Sequence, residues 1–390
     1  MMAPGMSGGR DRICLPKASD WQEQTIEIGH MDEYTKSGEQ EDLLDLNEVM
    51  QAFGVTEWTN LGRVEMTPAQ NLGIRVEIQG QPYILRERPE GMMAENTNHR
   101  YAFRQFLQQA GIPIPSLRLT QQGEAALRIG EDFFELEQDV GGERFSTADP
   151  DSLAWVGAAG AMLARIHLAS RRYLGPQQRW PSEAHIGGVV QGYLNLARSK
   201  ADASEIAAIA AALSNWCDQW EAVLPSAMVS IGAVRSLPEF HIHGDYHALN
   251  LRFSSQDVLA VLNWEALRWE KRIIELASAL FYFSALEWLP NTPFTRPLVK
   301  RGFDPERARA FLAAYGAIYP PAPQEASALG DALLLMSPIA TINGPLEDVF
   351  FTPQGIEEAL IDDVMDRLAW AMSLPAWLGR VRRSLGEMWR

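Results

Sequence analysis

The residue pattern changes character at Gly141 and Gly142, and this change limits the folds that the chain can adopt. Before the two glycines, apolar and polar residues alternate, as in Ile74 to Ile78, and turn residues such as Gln79 to Pro82 follow. This alternation predicts short strands that are joined by hairpins. After the glycines, apolar residues mostly recur at the spacing of a helix face. The pattern therefore predicts an α+β fold with a small β-rich N-terminal lobe and a larger, mainly helical C-terminal lobe.

The length of the chain also favours two lobes. A chain of 390 residues is too long for one simple core, because single hydrophobic cores stop growing beyond about 250–300 residues. Residues 1–40 mix glycine, methionine and charged residues without a period, and we expect them to form a poorly ordered tail. We therefore predict an N-terminal lobe over residues 41–140 and a C-terminal lobe over residues 141–390.

Charge and cysteine content exclude several classes of protein. The net charge is -16, and such an acidic surface disfavours nucleic acid and anionic membranes as partners. Two cysteines, Cys14 and Cys217, are too few for a disulfide scaffold or a four-cysteine zinc site. No apolar run approaches the roughly 20 residues that cross a bilayer, and the N-terminus lacks the apolar core of a secretion signal. We expect a soluble cytoplasmic protein.

One segment of the helical half interrupts the helical pattern and gathers polar residues. His243 to Asn250, with the letters HGDYHALN, leads into two apolar stretches, Asn250 to Phe253 and Val258 to Leu262, which predict a hairpin. Asp245 lies on the loop before this hairpin, and Asn263 follows it. In phosphoryl transfer a carboxylate accepts the proton of the attacking hydroxyl, and oxygen ligands hold Mg²⁺ against a triphosphate. The arrangement is that of a kinase catalytic loop followed by a metal-binding strand end.

The segment HGDYHALN resembles the catalytic-loop motif of the aminoglycoside phosphotransferase and choline kinase superfamily, whose fold is similar to that of protein kinases. Other segments resemble further parts of that family in the same order along the chain. They are YILRERP (the phosphate-contacting strand), QFLQQAGIPIP (a helix and strand), FELEQDVGGERF (the hinge), GAMLARIHLAS (the first large-lobe helix), VLAVLNWE (the metal segment) and RIIELASALFYF (the helix after it). The resemblance implies a protein-kinase-like bilobal fold, with nucleotide bound by residues 41–140 and catalysis and substrate binding in residues 141–390.

The resemblance also implies the reaction and its residues. The γ-phosphoryl group of ATP or GTP would pass, with magnesium, to a hydroxyl of a small polar molecule. The catalytic positions would be Asp245, as the base, and His243, which would shape the loop with Gly244. Magnesium would be held by Asn250 and Asn263. The nucleotide would contact the cation Arg86 at its phosphates, Asn71 in the turn above them, and backbone groups from Gln138 to Val140 at its adenine.

Three positions depart from the family pattern. Asn263 stands where the family normally has an aspartate, and an amide brings no charge to a metal ion. Strand alternation would place Glu265 on the same side as Asn263, as a further ligand of the metal. The phosphate cation is Arg86 rather than lysine, which guanidinium chemistry allows. The helix that should supply a glutamate partner for Arg86 reads HRYAF, and Glu95 is the nearest acid upstream.

Two other interpretations stay open. The alternation of His241, His243, Asp245 and His247 could present all four to a zinc or iron ion, although the flanking hairpin favours the kinase loop. Asn263 and the missing helix glutamate favour a second hypothesis, a pseudokinase that binds nucleotide or metabolite without turnover. Between these we favour an active enzyme, whose acceptor is an amino sugar, an amino alcohol or another polar metabolite.

Overall fold

The structure is a computed structural model, and it describes residues 46–64, 72–89, 97–130, 132–177, 186–234, 237–289, 298–299, 303–351, 356 and 358–390. The sequence predictions for residues 1–40, for Asn71 and for Glu95 lie outside these residues. Within the described part of the chain, a mixed sheet-and-helix architecture confirms the predicted α+β fold.

The described strands of the N-terminal lobe form one antiparallel sheet. Its order is β1-β2-β3-β6-β4, and the short β5 pairs with β6. The alternating residues of the sequence form the two central hairpin strands, as predicted. The strands are β1 (Thr59–Arg63), β2 (Leu72–Ile78), β3 (Gln81–Pro89), β4 (Leu117–Arg118), β5 (Leu127–Ile129) and β6 (Asp132–Gln138), and the helices are α1 (Leu46–Ala52) and α2 (Thr97–Gln109).

The two faces of this sheet differ in chemistry because side chains alternate along each strand. One face packs apolar residues such as Val76, Leu85 and Leu136 against Met50 of α1, and these residues form a small core of their own. The other face carries buried charged residues on β3 and β6 (Arg86, Arg88, Glu135 and Glu137). A charged face that is excluded from water requires partners, and these partners come from α2 and from the C-terminal lobe.

The C-terminal lobe is helical around two small antiparallel pairs, β7 with β10 and β8 with β9. The predicted hairpin after the polar segment is confirmed as β8 and β9. The helices are α3 (Ser152–Ser170), α4 (Ile186–Ala203), α5 (Ala207–Ala233), α6 (Arg272–Ser284), α7 (Pro305–Ile318), α8 (Pro323–Ile342), α9 (Glu347–Phe351) and α10 (Ile361–Trp389). The strands are β7 (Glu239–Ile242), β8 (Leu251–Ser254), β9 (Asp257–Val261), β10 (Arg268–Lys271), β11 (Leu286–Glu287) and β12 (Leu298–Val299).

Helix α2 joins the two lobes. Its apolar residues Phe103 and Leu107 belong to the large core of the C-terminal lobe and not to the small core of the sheet. The Phe103 ring lies 4.9 Å from that of Tyr173 and 6.0 Å from that of Trp264, measured between ring centroids. The helix therefore contributes its apolar face to one lobe, while its arginines contact the sheet of the other.

Two helices of the C-terminal lobe, α3 and α8, are long and apolar enough to span a membrane by length and composition alone. The expectation that no apolar run approaches this length is therefore wrong for these helices. In the most apolar window of α8, 94% of the residues are buried inside the protein. Burial of this extent is that of a core helix, and neighbouring helices already cover its apolar surface.

Candidate active site

The predicted catalytic loop connects β7 to a single 3₁₀ turn at Ala248–Asn250, and it presents Asp245. Asp245 Oδ2 accepts hydrogen bonds from His247 Nε2 at 3.2 Å and from Asn250 Nδ2 at 2.9 Å. His247 Nδ1 accepts from the Leu249 N–H, which places the imidazole proton on Nε2, toward Asp245. Asp245 Oδ1 accepts no hydrogen bond from any described residue. The side chain is 45% exposed, beside a His247 that is almost fully buried.

The surroundings of Asp245 keep its carboxyl ionised. Burial works against ionisation, but the neighbouring His247, His243 and the Asn250 amide outweigh it and lower the pKa of Asp245 below its ordinary value. The loop therefore presents a carboxylate with one oxygen held in place and one oxygen open.

A buried carboxylate on α6, that of Glu275, holds the backbone of this loop in place. Glu275 Oε1 accepts from the Gly244 N–H at 2.5 Å, and Oε2 accepts from the His243 N–H at 3.3 Å and contacts His167 Nε2 at 2.6 Å. Burial works against ionisation of Glu275, but His167, His243 and the Gly244 N–H lower its pKa below the ordinary value. His167 is fully buried between Glu275 and Tyr315, so it has a structural role and does not face a substrate.

Position 244 accepts glycine alone. Gly244 has φ +87°, in the left-handed region, and a Cβ there would lie 2.0 Å from the carbonyl oxygen of Ala266. The contact is with rigid backbone, so no side-chain movement can relieve it. The predicted loop-shaping role of Gly244 has this physical cause.

His243 orders the loop but does not face the cleft. It is completely buried, its Nδ1 accepts from the Asp245 N–H at 3.2 Å, and its Nε2 donates to the Leu262 carbonyl at 2.7 Å. The predicted role of His243 is to shape the loop, and its contacts fit that role, because a fully buried ring cannot touch a substrate. His243 is a positioning residue that links the backbone of Asp245 to the residue before Asn263.

The two asparagines that the sequence assigns to magnesium form a hydrogen-bonded chain. Asn263 Oδ1 accepts from Arg86 NH1 at 2.7 Å, and Asn263 Nδ2 donates to Asn250 Oδ1 at 2.6 Å. Asn250 Nδ2 then donates to Asp245. Each amide oxygen that would coordinate a metal ion therefore already accepts an N–H group, and one of these donors is a cation.

The third predicted metal ligand, Glu265, faces an arginine. It forms an ion pair with Arg88. Burial works against the ionisation of Glu265, but the charges of Arg88, Arg100 and Arg86 outweigh burial and lower its pKa. The strand alternation expected for residues 263 and 265 is wrong, because β9 ends at Val261 and Asn263 takes a left-handed φ of +57° in the following loop. As they stand, these donors do not fit a magnesium ion between Asn250, Asn263 and Glu265.

Two parallel ladders of charge run from α2 across the sheet to this loop. Arg104 contacts Glu137, which pairs with Arg86 at 3.1 Å, and Arg86 reaches Asn263. Beside this first ladder, the second runs through Arg100, Glu135, Arg88 and Glu265. The acid that pairs with Arg86 is therefore Glu137 on a strand, whereas we expected a glutamate on the helix. Relative to the family pattern, the helix carries arginines where a glutamate is expected, and the sheet supplies the acid that pairs with Arg86.

The predicted adenine contacts lie where β6 leaves the sheet. The Gln138 N–H donates to the Ser116 carbonyl at 2.9 Å and is therefore engaged within the protein. Among described residues, the backbone groups of Val140 have no backbone partner. Burial and the charges of Arg144 and Arg86 lower the pKa of Arg252 to about 10, although the Asp139 carboxylate acts in the opposite direction.

Two residues without a sequence motif, Glu347 and Tyr282, interact electrostatically with Asp245. Glu347, at the start of α9, has an Oε2 atom that is buried without a hydrogen-bond partner among described residues. Burial, Asp245 and Asp348 raise the pKa of Glu347 to about 8. Tyr282 belongs to the same group, because burial and the charges of Asp245 and Glu347 raise its pKa well above the ordinary value. No motif marks Glu347, which lies about a hundred residues beyond the catalytic loop.

The alternative of a metal site made of histidines is not supported. No group of three or more His, Cys, Asp or Glu residues in the described ranges could hold a metal ion. His241 turns away from the loop, contacts the Pro176 carbonyl with Nε2 at 2.7 Å, and packs against Phe103 and Trp269.

Several kinases of known structure have a fold similar to that of this chain. No curated protein is significantly similar to the chain in sequence. Among solved structures, the amicoumacin kinase hAmiN, in complex with AMP-PNP, Ca²⁺ and Ami, is similar at 15% identity and a TM-score of 0.61, over 86% of this chain and 95% of that one. An aminoglycoside phosphotransferase from Alicyclobacillus acidocaldarius is similar at 14% identity and a TM-score of 0.58, over 90% of this chain and 99% of that one.

A microcompartment-associated aminopropanol kinase is also similar, at 13% identity and a TM-score of 0.58, over 88% of this chain and 99% of that one. At such low sequence identity, the structural similarity shows a shared fold and no more. It confirms the predicted kinase-like bilobal architecture. A family model of the phosphotransferase enzyme family matches residues 68–329, which is more than half of the chain. The chain therefore belongs to the phosphotransferase enzyme family.

Proposed function

We propose that the protein transfers the γ-phosphoryl group of ATP or GTP to a hydroxyl of a small molecule, with Asp245 as the base. The observation that carries the proposal is the state of this carboxylate, which is ionised, oriented through Oδ2 and open at Oδ1. In the proposed reaction the acceptor hydroxyl gives its proton to Asp245 while its oxygen bonds to the γ-phosphorus. The bond from the γ-phosphorus to the β–γ bridging oxygen breaks, and the nucleoside diphosphate leaves.

Two arginines near the predicted catalytic loop, Arg86 and Arg252, support the nucleotide side of the proposal. Arg86 reaches the loop that carries Asp245, and Arg252 lies close enough to Arg86 and Arg144 for their charges to lower its pKa. An anion with several charges, such as a triphosphate, relieves this mutual repulsion. The similar amicoumacin kinase was solved with AMP-PNP, which supports a nucleotide donor here. The proposed contact for the adenine is the open backbone of Val140.

The acceptor side favours a molecule that carries a cation beside its hydroxyl. Glu347 and Asp245 are two carboxyl groups in one environment, and Glu347 keeps an unpartnered buried oxygen. A positive group would let both carboxyls ionise, and the aromatic Tyr282 next to them suits an ammonium group. Two of the similar structures are named for amine-bearing acceptors, an aminoglycoside and aminopropanol, which agrees with this chemistry.

No step of the proposed reaction passes through a metal ion, because the asparagine oxygens and Glu265 already face N–H donors. The same observation favours a second candidate, a nucleotide-binding pseudokinase. The two candidates differ in turnover and agree on nucleotide binding.

The replacement Asp245→Asn separates the two candidates. For an active enzyme it should lower turnover by about a hundredfold or more and leave the Kd for nucleotide nearly unchanged, because the carboxylate acts on the acceptor. Phosphate transfer to a panel of amino alcohols and amino sugars, with calorimetric titration of nucleotide, gives both values. The matched control is Asp257→Asn, at the exposed first residue of β9 in the adjoining hairpin. A turnover that Asp245→Asn leaves unchanged would refute the base assignment.

A further inference from the structure

The direction of every hydrogen bond between Arg86 and Asp245 is fixed by chemistry. A guanidinium can only donate, and an ionised carboxylate can only accept. The two amides between them must therefore each turn their oxygen toward the arginine and their N–H toward the aspartate. This is the order observed, from Arg86 through Asn263 and Asn250 to Asp245. Flipping either amide would place two donors or two acceptors against each other.

The asparagine at position 263 makes this chain possible. In place of Asn263, a carboxylate would set a negative oxygen against Asn250 Oδ1, which is 2.6 Å from the amide nitrogen at present. Two oxygens at that distance need a proton or a metal ion between them. The N–H of Asn263 fills this need without a metal ion. The left-handed φ of +57° at this position is tolerated better by asparagine than by most residues.

Arg86 keeps binding capacity after these contacts. Its NH1 atom donates to Asn263, and its NH2 atom pairs with Glu137 at 3.1 Å. The residue is only 6% exposed, and its buried Nε has no hydrogen-bond partner among described residues. A guanidinium has five N–H donors, and a buried donor without an acceptor is costly. The orphaned Nε therefore indicates an acceptor that is still to arrive.

The ladders also hold an excess of positive charge. Four arginines (Arg86, Arg88, Arg100 and Arg104) face three glutamates (Glu135, Glu137 and Glu265). Among these described residues the ladders therefore carry one net positive charge. At the end nearest the predicted catalytic loop, Arg86 pairs with Glu137 on one side and meets the neutral amide of Asn263, instead of a second acid, on the other.

We propose that Arg86, oriented by Asn263 and Glu137, is a built-in cation for the nucleotide phosphates, so that this protein binds nucleotide without a divalent cation. The inference rests on the proposed function and makes it more specific. A kinase with an aspartate at this position supplies the cation as a metal ion that bridges phosphate oxygens. Here a guanidinium on β3 occupies the corresponding place and offers its donors to the same oxygens.

Calorimetric titration of the full chain with ATP, once with Mg²⁺ and once with EDTA, tests the proposal. We expect the two dissociation constants to agree within about threefold, and Mg²⁺ alone to leave the melting temperature unchanged. Arg86→Ala should weaken ATP binding in EDTA by about tenfold to a hundredfold, the range for a lost charged hydrogen bond. Arg63→Ala, which removes an exposed arginine from the same sheet, is the control and should leave the affinity unchanged.

Two further variants keep the test decisive if Arg86→Ala does not fold. Arg86→Lys retains the charge but loses the planar fork, and it should weaken ATP binding in EDTA by about tenfold. Asn263→Asp should weaken binding in EDTA by a similar factor and should regain affinity when Mg²⁺ is added, because the metal ion then separates the new carboxylate from Asn250 Oδ1. Asn215→Asp adds the same charge at an exposed helix position and is the matched control.

The possible failures are distinguishable. If wild-type protein binds ATP with Mg²⁺ but not in EDTA, the inference is overturned and the proposed function stands. The inference also fails if Arg86→Lys and Asn263→Asp bind ATP in EDTA as wild type does, since Arg86 then only fastens the lobes together. If neither ATP nor GTP binds under either condition, the proposed function and the inference fall together.

Discussion

Replacing Glu275 with glutamine tests how the catalytic loop is held in place. The carboxylate is 2% exposed and accepts contacts from the His243 N–H, the Gly244 N–H and His167 Nε2. Glutamine has nearly the same shape, so it leaves no cavity. Glu275→Gln therefore changes the charge and one acceptor edge, while the packing around the side chain stays as it is.

The expected loss of stability follows from these three contacts. A hydrogen bond to a charged group contributes about 1 kcal/mol more than one between neutral groups. In the variant the bonds to Gly244 and His167 survive in neutral form, and the bond to the His243 N–H is lost, which costs about 4 kcal/mol in sum. An amide is easier to bury than a carboxylate, which offsets part of this sum. We expect the free energy of unfolding to fall by about 2 kcal/mol at neutral pH.

The loss should depend on pH with a definite sign. The pKa of Glu275 is lower in the folded protein than in the unfolded chain, where a glutamate titrates near 4.3. The stabilisation by its charge is therefore fully present above about pH 5 and is lost as the pH falls through the folded-state pKa. Once Glu275 is protonated, wild type and Glu275→Gln carry the same charge at this site, and their stabilities should converge.

Urea unfolding followed by tryptophan fluorescence measures this difference, because buried tryptophans of the C-terminal lobe such as Trp216 and Trp220 report its unfolding. The experiment compares wild type and Glu275→Gln at pH 7 and at successively lower pH. Glu57→Gln, at an exposed position, is the control and should change stability by less than about 0.5 kcal/mol. A difference below 1 kcal/mol at pH 7, or one that stays constant with falling pH, would refute the reasoning.

Two further predictions concern neighbouring positions. Gly244→Ala should lower the free energy of unfolding by at least about 2 kcal/mol, because the left-handed backbone alone costs about 1–2 kcal/mol and the new Cβ meets the Ala266 carbonyl; an unchanged melting temperature would contradict this. Glu347 has a pKa of about 8, so affinity for a quaternary-ammonium alcohol should rise as the pH increases through 8. Titrations across that range should show no such rise for Glu347→Gln or for a neutral alcohol.

Local sequence patterns predicted most of the fold and the position of the loop that carries Asp245. The hairpin of β8 and β9 and the strands β2 and β3 form where alternation and turn residues predicted them, because side-chain periodicity and turn chemistry act over a few residues. Asp245 and Asn250 lie together for the same reason, as they are five residues apart. Their assigned roles in base catalysis and metal binding stay predictions.

Contacts between distant segments could not be predicted in this way. Glu275 and Glu347 reach the catalytic loop only through helix packing, which no local pattern records. The alternation assumed for Glu265 failed because the chain leaves β9 two residues before Asn263 and turns into the left-handed region. The arginines of α2 and β3 and the glutamates of β6 are visible in the sequence, but their pairing depends on the strand register.

The division of α2 between the lobes bears on how such proteins can be recombined. A fragment that ends near Gly141 would carry Phe103 and Leu107 without the core that covers them, and we expect it to aggregate when it is expressed by itself. A chimera that takes its sheet from one relative and its helical part from another would also separate α2 from the core that covers it. It would lose stability as well where the arginines of α2 no longer meet the strand glutamates. A successful exchange must therefore move α2 with the C-terminal part and transplant its arginines together with the strand glutamates.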